Sequence, residues 1–305
     1  MEDVTDAAFR HMIAEIGRPS VMFTEFTSAD GLIFADERGQ KILRKKLSFS
    51  EIEQPIVAQL FSAFPERMEQ AARIVAELGF DGLDINMGCP DRSIEKSRCG
   101  ADLIKNPDRA RALIRAAKAG APNLPISVKT RIGYAKNELD TWLPELLAEN
   151  PAVVTIHART RNELSDVPAK WECIKQAVAI RHALGSKTLI VGNGDVKNIE
   201  DARAKASETG CDGIMLGRAI YGNPWLYNER FTKSLISPRE KIEALAKHIK
   251  LFDELMSGTS NFAVMKKHFK AYISGWDGAK ELRVRLMETA TTEEALSILR
   301  ASDLL

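Results

Sequence analysis

Cys89 is the residue of this chain whose surroundings are best suited to chemistry. It stands in the stretch Asn86-Met87-Gly88-Cys89-Pro90, which follows a mostly apolar run at 82–85. Such a run predicts a buried strand that passes into a loop, and barrel enzymes carry their catalytic groups at strand ends of this kind. A single Cys also occurs as a small buried apolar residue. The role of Cys89 therefore depends on its neighbours.

Polar side chains also stand at the ends of the other predicted strands. Because the carboxyl ends of parallel strands meet at one mouth of a barrel, we expect these side chains to converge there. Each has a simpler interpretation on its own, such as a loop anchor or a solvated strand end. The set comprises Glu25, Gln59, Asn86, Cys89, Lys129, Arg131, His157, Arg159, Asn193, Asp195, Gly217 and Arg218.

The last two predicted strands end in glycine-rich turns, at 192–195 and 216–218. Glycines at these positions expose backbone N–H groups, and the start of a short helix after the second turn adds a partial positive charge. The two turns together predict a phosphate site. The alternative is that the glycines only supply the positive φ that tight turns require.

A phosphate at that corner suggests the hypothesis of a bound FMN whose ring lies across the mouth. Gln59 and Lys129 would then reach the polar edge of the ring, where a cation stabilises the reduced flavin, and His157 would lie toward the phosphate. A thiol with a reference pKa near ~8.5 is protonated at neutral pH, so Cys89 would serve as a general acid. Reduction of an activated C=C bond, such as that of a uracil ring, needs this combination of hydride and proton.

The elements that must position these groups alternate between strand and helix from the start of the chain to about residue 218. Strands are predicted at 21–26, 55–60, 82–86, 126–130, 153–157, 188–192 and 213–217, and helices at 6–16, 65–78, 108–119, 141–149, 170–184 and 199–209. The pattern predicts an α/β fold, a (β/α)8 TIM barrel whose first strand is missing because the chain begins too late. An open seven-stranded sheet is the alternative.

After Pro238 the strand pattern stops. Apolar residues at spacings of three and four predict helices at 240–257, 261–274, 279–288 and 292–300. We therefore expect two domains, a catalytic TIM-barrel domain over residues 1–236 and an all-helical bundle over residues 237–305.

Composition restricts the class of protein. Of 305 residues, 45% are hydrophobic and 28% are charged, as in ordinary globular proteins. The net charge of +1 means that any contact with nucleic acid must be a local patch. The four cysteines have no CxxC spacing, which argues against a disulfide framework or a zinc site, and no metal is expected.

Without a signal peptide or an apolar stretch of about 18 residues, we expect a cytoplasmic monomer that does not contact a membrane.

An ordered set of motifs resembles the signature of the tRNA-dihydrouridine synthases over nearly the whole chain. Members of that family usually open with a strand ending in Ala-Pro before the residue matched by Met1, which agrees with the expected missing strand. The motifs are Met1-Glu2-Asp3-Val4-Thr5-Asp6-Ala7-Ala8-Phe9-Arg10, Thr24-Glu25-Phe26, Gln59-Leu60, Asp84-Ile85-Asn86-Met87-Gly88-Cys89-Pro90, Val128-Lys129-Thr130-Arg131-Ile132-Gly133, His157-Ala158-Arg159-Thr160-Arg161, Gly192-Asn193-Gly194-Asp195 and Gly213-Ile214-Met215-Leu216-Gly217-Arg218.

The resemblance implies an FMN-bound barrel followed by a helical tRNA-binding domain, with NADPH as the reductant of the flavin and a uridine as the substrate. It implies that Cys89 protonates C5 of uracil while the flavin delivers hydride to C6. The residues implied to bind FMN are Gln59, Lys129, His157, Asn193, Gly194, Asp195, Gly217 and Arg218. The residues implied to bind the substrate at the mouth are Glu25, Asn86, Arg131 and Arg159.

A uridine in folded RNA must leave its stack to reach a flavin, at roughly a few kcal/mol. A local basic cluster comprises Lys266, Lys267, His268, Lys270, Lys280, Arg283 and Arg285. We expect Lys266, Lys267, Lys270 and Arg283 to hold the RNA, although surface helices also carry such charges for solubility alone. Three other functions remain open. These are a flavin enzyme acting on a free pyrimidine, of the dihydroorotate or dihydropyrimidine dehydrogenase type, a phosphosugar lyase or isomerase with a Schiff base at Lys129, and a non-catalytic RNA-binding protein.

Overall fold

The computed structural model describes residues 4–228, 230 and 236–302. Met1, Glu2 and Asp3 of the first motif, and residues 303–305 of the predicted helical domain, lie outside the described residues. The chain divides into two compact units. We call residues 26–40 and 56–218 the barrel unit, and residues 1–25, 41–55 and 219–305 the helical unit.

Eight strands and thirteen α-helices are present among the described residues. The strands are β1 Met22–Phe23, β2 Thr27–Ser28, β3 Ile56–Phe61, β4 Gly82–Asn86, β5 Ile126–Arg131, β6 Val153–His157, β7 Leu189–Asn193 and β8 Gly213–Met215. The helices are α1 Ala7–Gly17, α2 Ala29–Phe34, α3 Glu37–Lys46, α4 Pro65–Glu77, α5 Arg92–Lys96, α6 Pro107–Gly120, α7 Leu139–Leu147, α8 Trp171–Ala183, α9 Ile199–Thr209, α10 Pro238–Met256, α11 Met265–Tyr272, α12 Ala279–Glu288 and α13 Thr292–Arg300.

The barrel unit is built on parallel strands. Each strand from β2 to β7 pairs in parallel with the next strand along the chain. A helix follows each strand from β2 to β7, as parallel pairing requires a crossover connection. The predicted α/β class and TIM-barrel-like fold are therefore confirmed.

The predicted strand at 21–26 is wrong, because the structure has the short strands β1 and β2 with residues 24–26 between them. The Thr24 hydroxyl donates to the Glu25 carbonyl at 2.9 Å, and the Glu25 carboxylate accepts the Val4 N–H at 3.1 Å. Side-chain bonds to nearby backbone compete with regular strand pairing. The sequence analysis also missed α2 and α3, which fill the connection between β2 and β3.

The helical unit contains both ends of the described chain. Helix α1 packs against α10, which in turn contacts α11 and α13, while α11 also contacts α12. Arg10 of α1 donates through Nε to Glu53 at 2.8 Å, and both side chains are buried. The two remaining guanidinium nitrogens of Arg10 donate to the carbonyls of Thr5 and Ser48. The domain boundary at 236/237 stays a prediction.

Among the described residues, no helix is both long enough and apolar enough to cross a membrane. Within the same ranges, no group of three or more His, Cys, Asp and Glu side chains is placed to hold a metal ion.

Candidate active site

The polar residues of β3 to β7 lie on one face of the sheet. Alternate residues of a strand point to the same face, and residues opposite each other on paired strands share a face. The opposite face of β5 is covered by α7, because Trp142 Nε1 donates to the Thr130 hydroxyl at 3.0 Å. The polar face is thus the inner face of the barrel unit. The opposed pairs on it are Gln59–Asp84, Asp84–Ser127, Asn86–Lys129, Arg131–His157 and His157–Asn193.

A hydrogen-bonded row crosses this inner face and ends at the loop of Cys89. Asp84 is buried in β4 and accepts from the Ser127 hydroxyl at 2.6 Å and from Gln59 Nε2 at 2.8 Å. The Gln59 amide oxygen accepts from Asn86 Nδ2 at 3.1 Å. The structure therefore brings Gln59 and Asn86 together, as the sequence analysis predicted, and it ties Gln59 to Asp84, which the sequence analysis did not predict.

Hydrogen bonds fix the backbone on either side of Cys89. The Asn86 amide oxygen accepts the N–H groups of Gly88 at 3.1 Å and Cys89 at 2.9 Å. The Cys89 carbonyl accepts the N–H of Ala101 at 2.9 Å. The adjacent Gly100 has φ +61°, and a Cβ on it would lie 2.6 Å from the Cys89 carbonyl oxygen, so this close approach requires glycine.

Two arginines hold the carbonyl groups that flank Cys89. Arg131 Nε donates to the Gly88 carbonyl at 2.8 Å, and Arg161 Nη2 donates to the Pro90 carbonyl at 3.2 Å. Arg161 is itself fixed by Glu95, whose two oxygens both lie 2.9 Å from Arg161 Nε. Charge-assisted, bidentate pairs of this kind fix geometry well. The loop that carries Cys89 is accordingly preorganised.

Cys89 differs from the other cysteines in exposure. Its side chain is partly exposed, whereas Cys99, Cys173 and Cys211 are buried. Burial, and next the charge of Asp30, raise the pKa of the Cys99 thiol to about 12. Cys99 is therefore a poor proton donor or nucleophile, which leaves Cys89 as the thiol suited to chemistry at this mouth.

The inner face carries an excess of cations beside a neutral imidazole. Burial lowers the pKa of Lys129 to about 8, and the nearby Arg131 acts in the same direction. Burial also lowers the pKa of His157 to about 2, helped by Lys129, Arg131 and Arg159. Arg159 Nη1 donates to His157 Nε2 at 3.1 Å, which assigns the imidazole proton to Nδ1. An anion bound here would relieve the repulsion among these cations.

Asp195 holds two of the predicted site residues. Its carboxylate accepts from Arg159 Nη2, from Arg218 Nη2 at 2.6 Å, and from the N–H of Ala169 at 3.0 Å. The hydrogen bond from Arg159 is the main reason why the pKa of Asp195 is lowered. Asp195, predicted to bind the cofactor, thus orients arginines, and the buried Arg159 is bonded to protein atoms, including the Val167 carbonyl at 2.6 Å.

The predicted phosphate corner is formed by the ends of β7 and β8. Asn193 Nδ2 donates to the Met215 carbonyl at 2.8 Å, which ties the two strand ends together. Gly194 has φ +130°, and a Cβ on it would lie 2.8 Å from the Ala169 Cβ. Gly217 lies two residues after the end of β8 at Met215, directly before a 3-10 turn at 218–220. Asn193, Gly194, Gly217 and Arg218 are thereby brought to neighbouring strand ends.

Two predicted substrate contacts have other partners in the structure. Glu25 is buried in the helical unit, where its carboxylate accepts the Val4 N–H. Arg131 donates through Nη1 to the carbonyls of Thr160 and Leu164 at 2.9 and 3.0 Å, besides its bond to Gly88. Both side chains therefore support the surrounding backbone.

Five members of the predicted basic cluster line a groove between α11 and α12 in the helical unit, whereas His268 is buried and Arg285 is not among the lining residues. The groove has a volume of about 690 Å³, and its floor includes Val284 and Met287, which are 55% and 47% exposed. Arg283 is anchored because its Nη1 donates to the Ile273 carbonyl at 2.8 Å. The groove is lined by Lys266, Lys267, Lys270, Lys280, Arg283, Val284, Met287 and Glu288.

The sequence analysis missed Asp84, Ser127, Arg161 and Glu95 as members of the site. For Asp84 a signal was present, because an acidic residue inside a short apolar run at a strand end is seldom buried without a partner. The pairing of Arg161 with Glu95 depends on how two loops meet, and no local pattern encodes it.

Comparison with known proteins gives a consistent result. The family model described as dihydrouridine synthase matches residues 1–304. The chain is 41% identical to "Probable tRNA-dihydrouridine synthase 2" of Bacillus subtilis (strain 168), over 98% of this chain and 91% of that protein. It is 38% identical to "Probable tRNA-dihydrouridine synthase" of Staphylococcus aureus (strain COL), over 98% and 90%. Among solved structures, histamine dehydrogenase from Rhizobium sp. 4-9 shares the fold, with a TM-score of 0.54 and 15% identity over 82% of this chain and 46% of that one.

Proposed function

The chain belongs to the dihydrouridine synthase family, and from that premise we propose that it reduces the C5=C6 bond of uridines in tRNA. In this proposal FMN is the cofactor, NADPH is the reductant, and Cys89 is the general acid. The observation that carries the proposal is the fixed loop of Cys89 at the rim of a polar, cationic inner face.

The residues at the mouth suit a flavin mononucleotide. Lys129 and Gln59 lie on the inner face, where they offer a cation and an amide to the polar edge of a flavin, and neutral His157 lies on the same face, in this proposal toward the phosphate. The glycine turn at Gly194 and the exposed Arg218 suit its phosphate. When bound, FMN supplies the hydride that is added at C6. Lys129 would supply a positive charge to stabilise the reduced flavin.

Cys89 supplies the proton in the proposed reaction. The residue is partly exposed and its backbone is fixed by Asn86 and Arg131, so the loop sets the position from which Sγ–H would protonate C5. Fixed geometry matters here because general acids act only within hydrogen-bond reach of the reacting atom. Asn86 ends β4 three residues before Cys89, and in this proposal the second N–H of its Nδ2 group would donate to the uracil.

The groove of the helical unit supports RNA as the substrate. Five cations and one acidic side chain line it, although the whole chain has a net charge of only +1. A concentration of positive charge on one surface is the electrostatic signature of nucleic-acid binding. The exposed apolar floor of Val284 and Met287 suits a ribose or an unstacked base.

The test of the proposed function is the variant Cys89→Ala, studied in two half-reactions. Reduction of the bound flavin by NADPH is expected to be unchanged, while formation of dihydrouridine in tRNA falls by about 100-fold or more because the proton donor is lost. Mass spectrometry of digested tRNA measures the product. Undiminished dihydrouridine formation in the variant would exclude Cys89 as the acid, and a wild-type protein that binds no flavin would exclude the proposal as a whole.

Two further comparisons separate the alternatives. Turnover of free uridine or uracil at the rate seen with tRNA would favour an enzyme of free pyrimidines. NADPH and NADH, supplied at equal concentration, identify the reductant from the rate of flavin bleaching.

A further inference from the structure

Asp84 is a buried carboxylate that the proposed reaction does not use. It is 1% exposed and lies in the middle of β4, directly opposite Gln59 on β3 and Ser127 on β5. Both neighbours donate hydrogen bonds to it, Ser127 at 2.6 Å and Gln59 at 2.8 Å. Burying a carboxylate at this depth costs free energy unless hydrogen-bond donors replace the water that it loses.

The ionised carboxylate fixes the orientation of two amides in turn. Because it only accepts hydrogen bonds, Gln59 must turn its NH2 group toward Asp84 and its oxygen toward Asn86. Asn86 must then use its NH2 group on Gln59, which leaves its oxygen facing the loop. That oxygen accepts the N–H groups of Gly88 and Cys89.

We propose that Asp84 is a positioning residue, which sets the amide orientations of Gln59 and Asn86 and thereby holds the loop of Cys89 in its reactive geometry. The proposed consequence for catalysis rests on the function proposed above. The consequence for the loop itself follows from the hydrogen bonds alone.

The charge state of Asp84 gives the proposal a pH dependence. Burial raises the pKa of Asp84 to about 6, against the opposing effects of Ser127, Gln59 and the nearby Lys129. The carboxylate is ionised at pH 7.5 and protonated at pH 5. A protonated Asp84 can donate to the Gln59 oxygen, and the order of the two amides is then no longer enforced.

The first experiment compares wild type with Asp84→Asn by hydrogen exchange of the full-length flavin-bound protein at pH 7.5. The amides of Gly88 and Cys89 are expected to exchange about five to ten times faster in the variant, as expected for the loss of roughly one hydrogen bond. Glu53→Gln is the matched control, because Glu53 is an equally buried carboxylate held by Arg10 in the helical unit. It is expected to leave exchange at Gly88 and Cys89 unchanged.

The second experiment is the pH profile of single-turnover dihydrouridine formation. Wild type is expected to lose rate below pH 6, and Asp84→Asn is expected to lack this acid limb while reacting about 10-fold more slowly at pH 7.5. Ser127→Ala keeps the carboxylate but removes one of its donors, so its acid limb is expected at higher pH. This variant also tests the proposal if Asp84→Asn does not fold.

A role in stability alone predicts a different result, because it would lower the melting temperature without changing the shape of the pH profile. The proposal is overturned if hydrogen exchange at Gly88 and Cys89 is unchanged in Asp84→Asn and the pH profile also fails to respond. The pH profile fails to respond if Asp84→Asn keeps the acid limb of wild type or if Ser127→Ala does not move it. If wild type makes no dihydrouridine, the proposed function fails, while the exchange comparison still decides the role of Asp84.

Discussion

Gly100 shows how strongly a single position constrains the loop of Cys89. Its φ of +61° and the 2.6 Å distance from a built Cβ to the Cys89 carbonyl oxygen mean that no other residue fits without moving the loop. Gly79 has a similar φ of +79°, but a Cβ there meets nothing within 4 Å. The two glycines therefore separate backbone strain from displacement of Cys89.

We expect Gly79→Ala to lower the free energy of unfolding by about 1 kcal/mol, because Ala resists positive φ. Gly100→Ala is expected to lower it by more, because its Cβ also displaces the Cys89 carbonyl. Only Gly100→Ala is expected to reduce dihydrouridine formation, by about 10-fold or more, since it displaces the catalytic loop. Chemical denaturation and single-turnover assays measure the two effects. Equal turnover in the two variants would contradict the close contact between Gly100 and Cys89.

The residues of the site could be foreseen from the sequence to different degrees. Lys129, His157 and Asn193 were predicted because each ends an apolar run, and the structure places all three on the inner face. The hydrogen bond from Arg159 to Asp195 could not be predicted, since it joins the loops that follow two different strands. Side-chain partners across strands depend on register, which local sequence does not encode.

At the scale of elements, the groove between α11 and α12 yields a test of RNA binding. The double variant Lys270→Glu/Lys280→Glu reverses two of its charges, and we expect the KM for tRNA to rise by about 10-fold or more, with a weaker dependence on salt. Flavin reduction by NADPH is expected to be unaffected. Steady-state kinetics at two salt concentrations measure the effect.

Arg285 provides the matched control for the groove. It is exposed on the same helix α12 but does not line the groove. Arg285→Glu is therefore expected to change the KM for tRNA much less than the double variant. If Arg285→Glu raises the KM as much per reversed charge as the double variant does, general electrostatic attraction, rather than the groove, accounts for binding.

Elements differed in how well their sequence defined them. Strands β4 and β6 were predicted at their observed bounds, because each is an apolar run closed by a polar residue at the mouth. Helix α3 was missed because all of its residues are at least partly exposed, so it has no apolar stripe to recognise. The four C-terminal helices were predicted, but their grouping with α1 required long-range contacts.

At the scale of the molecule, the helical unit carries a buried histidine pair. The rings of His248 and His268 lie 4.5 Å apart, and His268 also contacts Phe9. No ring nitrogen of the pair has a hydrogen-bond partner among the described residues. Burial lowers the pKa of His268 to about 4, and it lowers the pKa of His248 as well. Both imidazoles are therefore neutral in the folded state.

This pair predicts the acid sensitivity of the fold. In the unfolded state the two histidines bind protons near pH 6.5, whereas in the folded state they bind them only at lower pH. Their contribution to the free energy of unfolding is therefore complete above pH 6.5 and is lost as the pH decreases toward 4. His268 alone contributes about 2 kcal/mol of this loss at pH 5. His268→Phe is expected to flatten the pH dependence of urea unfolding between pH 7 and 5, whereas His182→Gln, at an exposed site, is expected to leave it unchanged. An unchanged pH dependence in His268→Phe would contradict the buried, neutral pair.

The packing of α1 with the C-terminal helices also bears on how the protein is made. The Tyr272 hydroxyl donates a hydrogen bond to the Met12 sulfur, although 260 positions separate the two residues in the chain. At about 5–20 residues per second, a ribosome needs roughly 13–50 s to synthesise the intervening segment. During that interval the apolar face of α1, including Phe9, has no native cover. The face of α1 that carries Phe9 therefore stays without its C-terminal partners until α10 and α11 have left the ribosome.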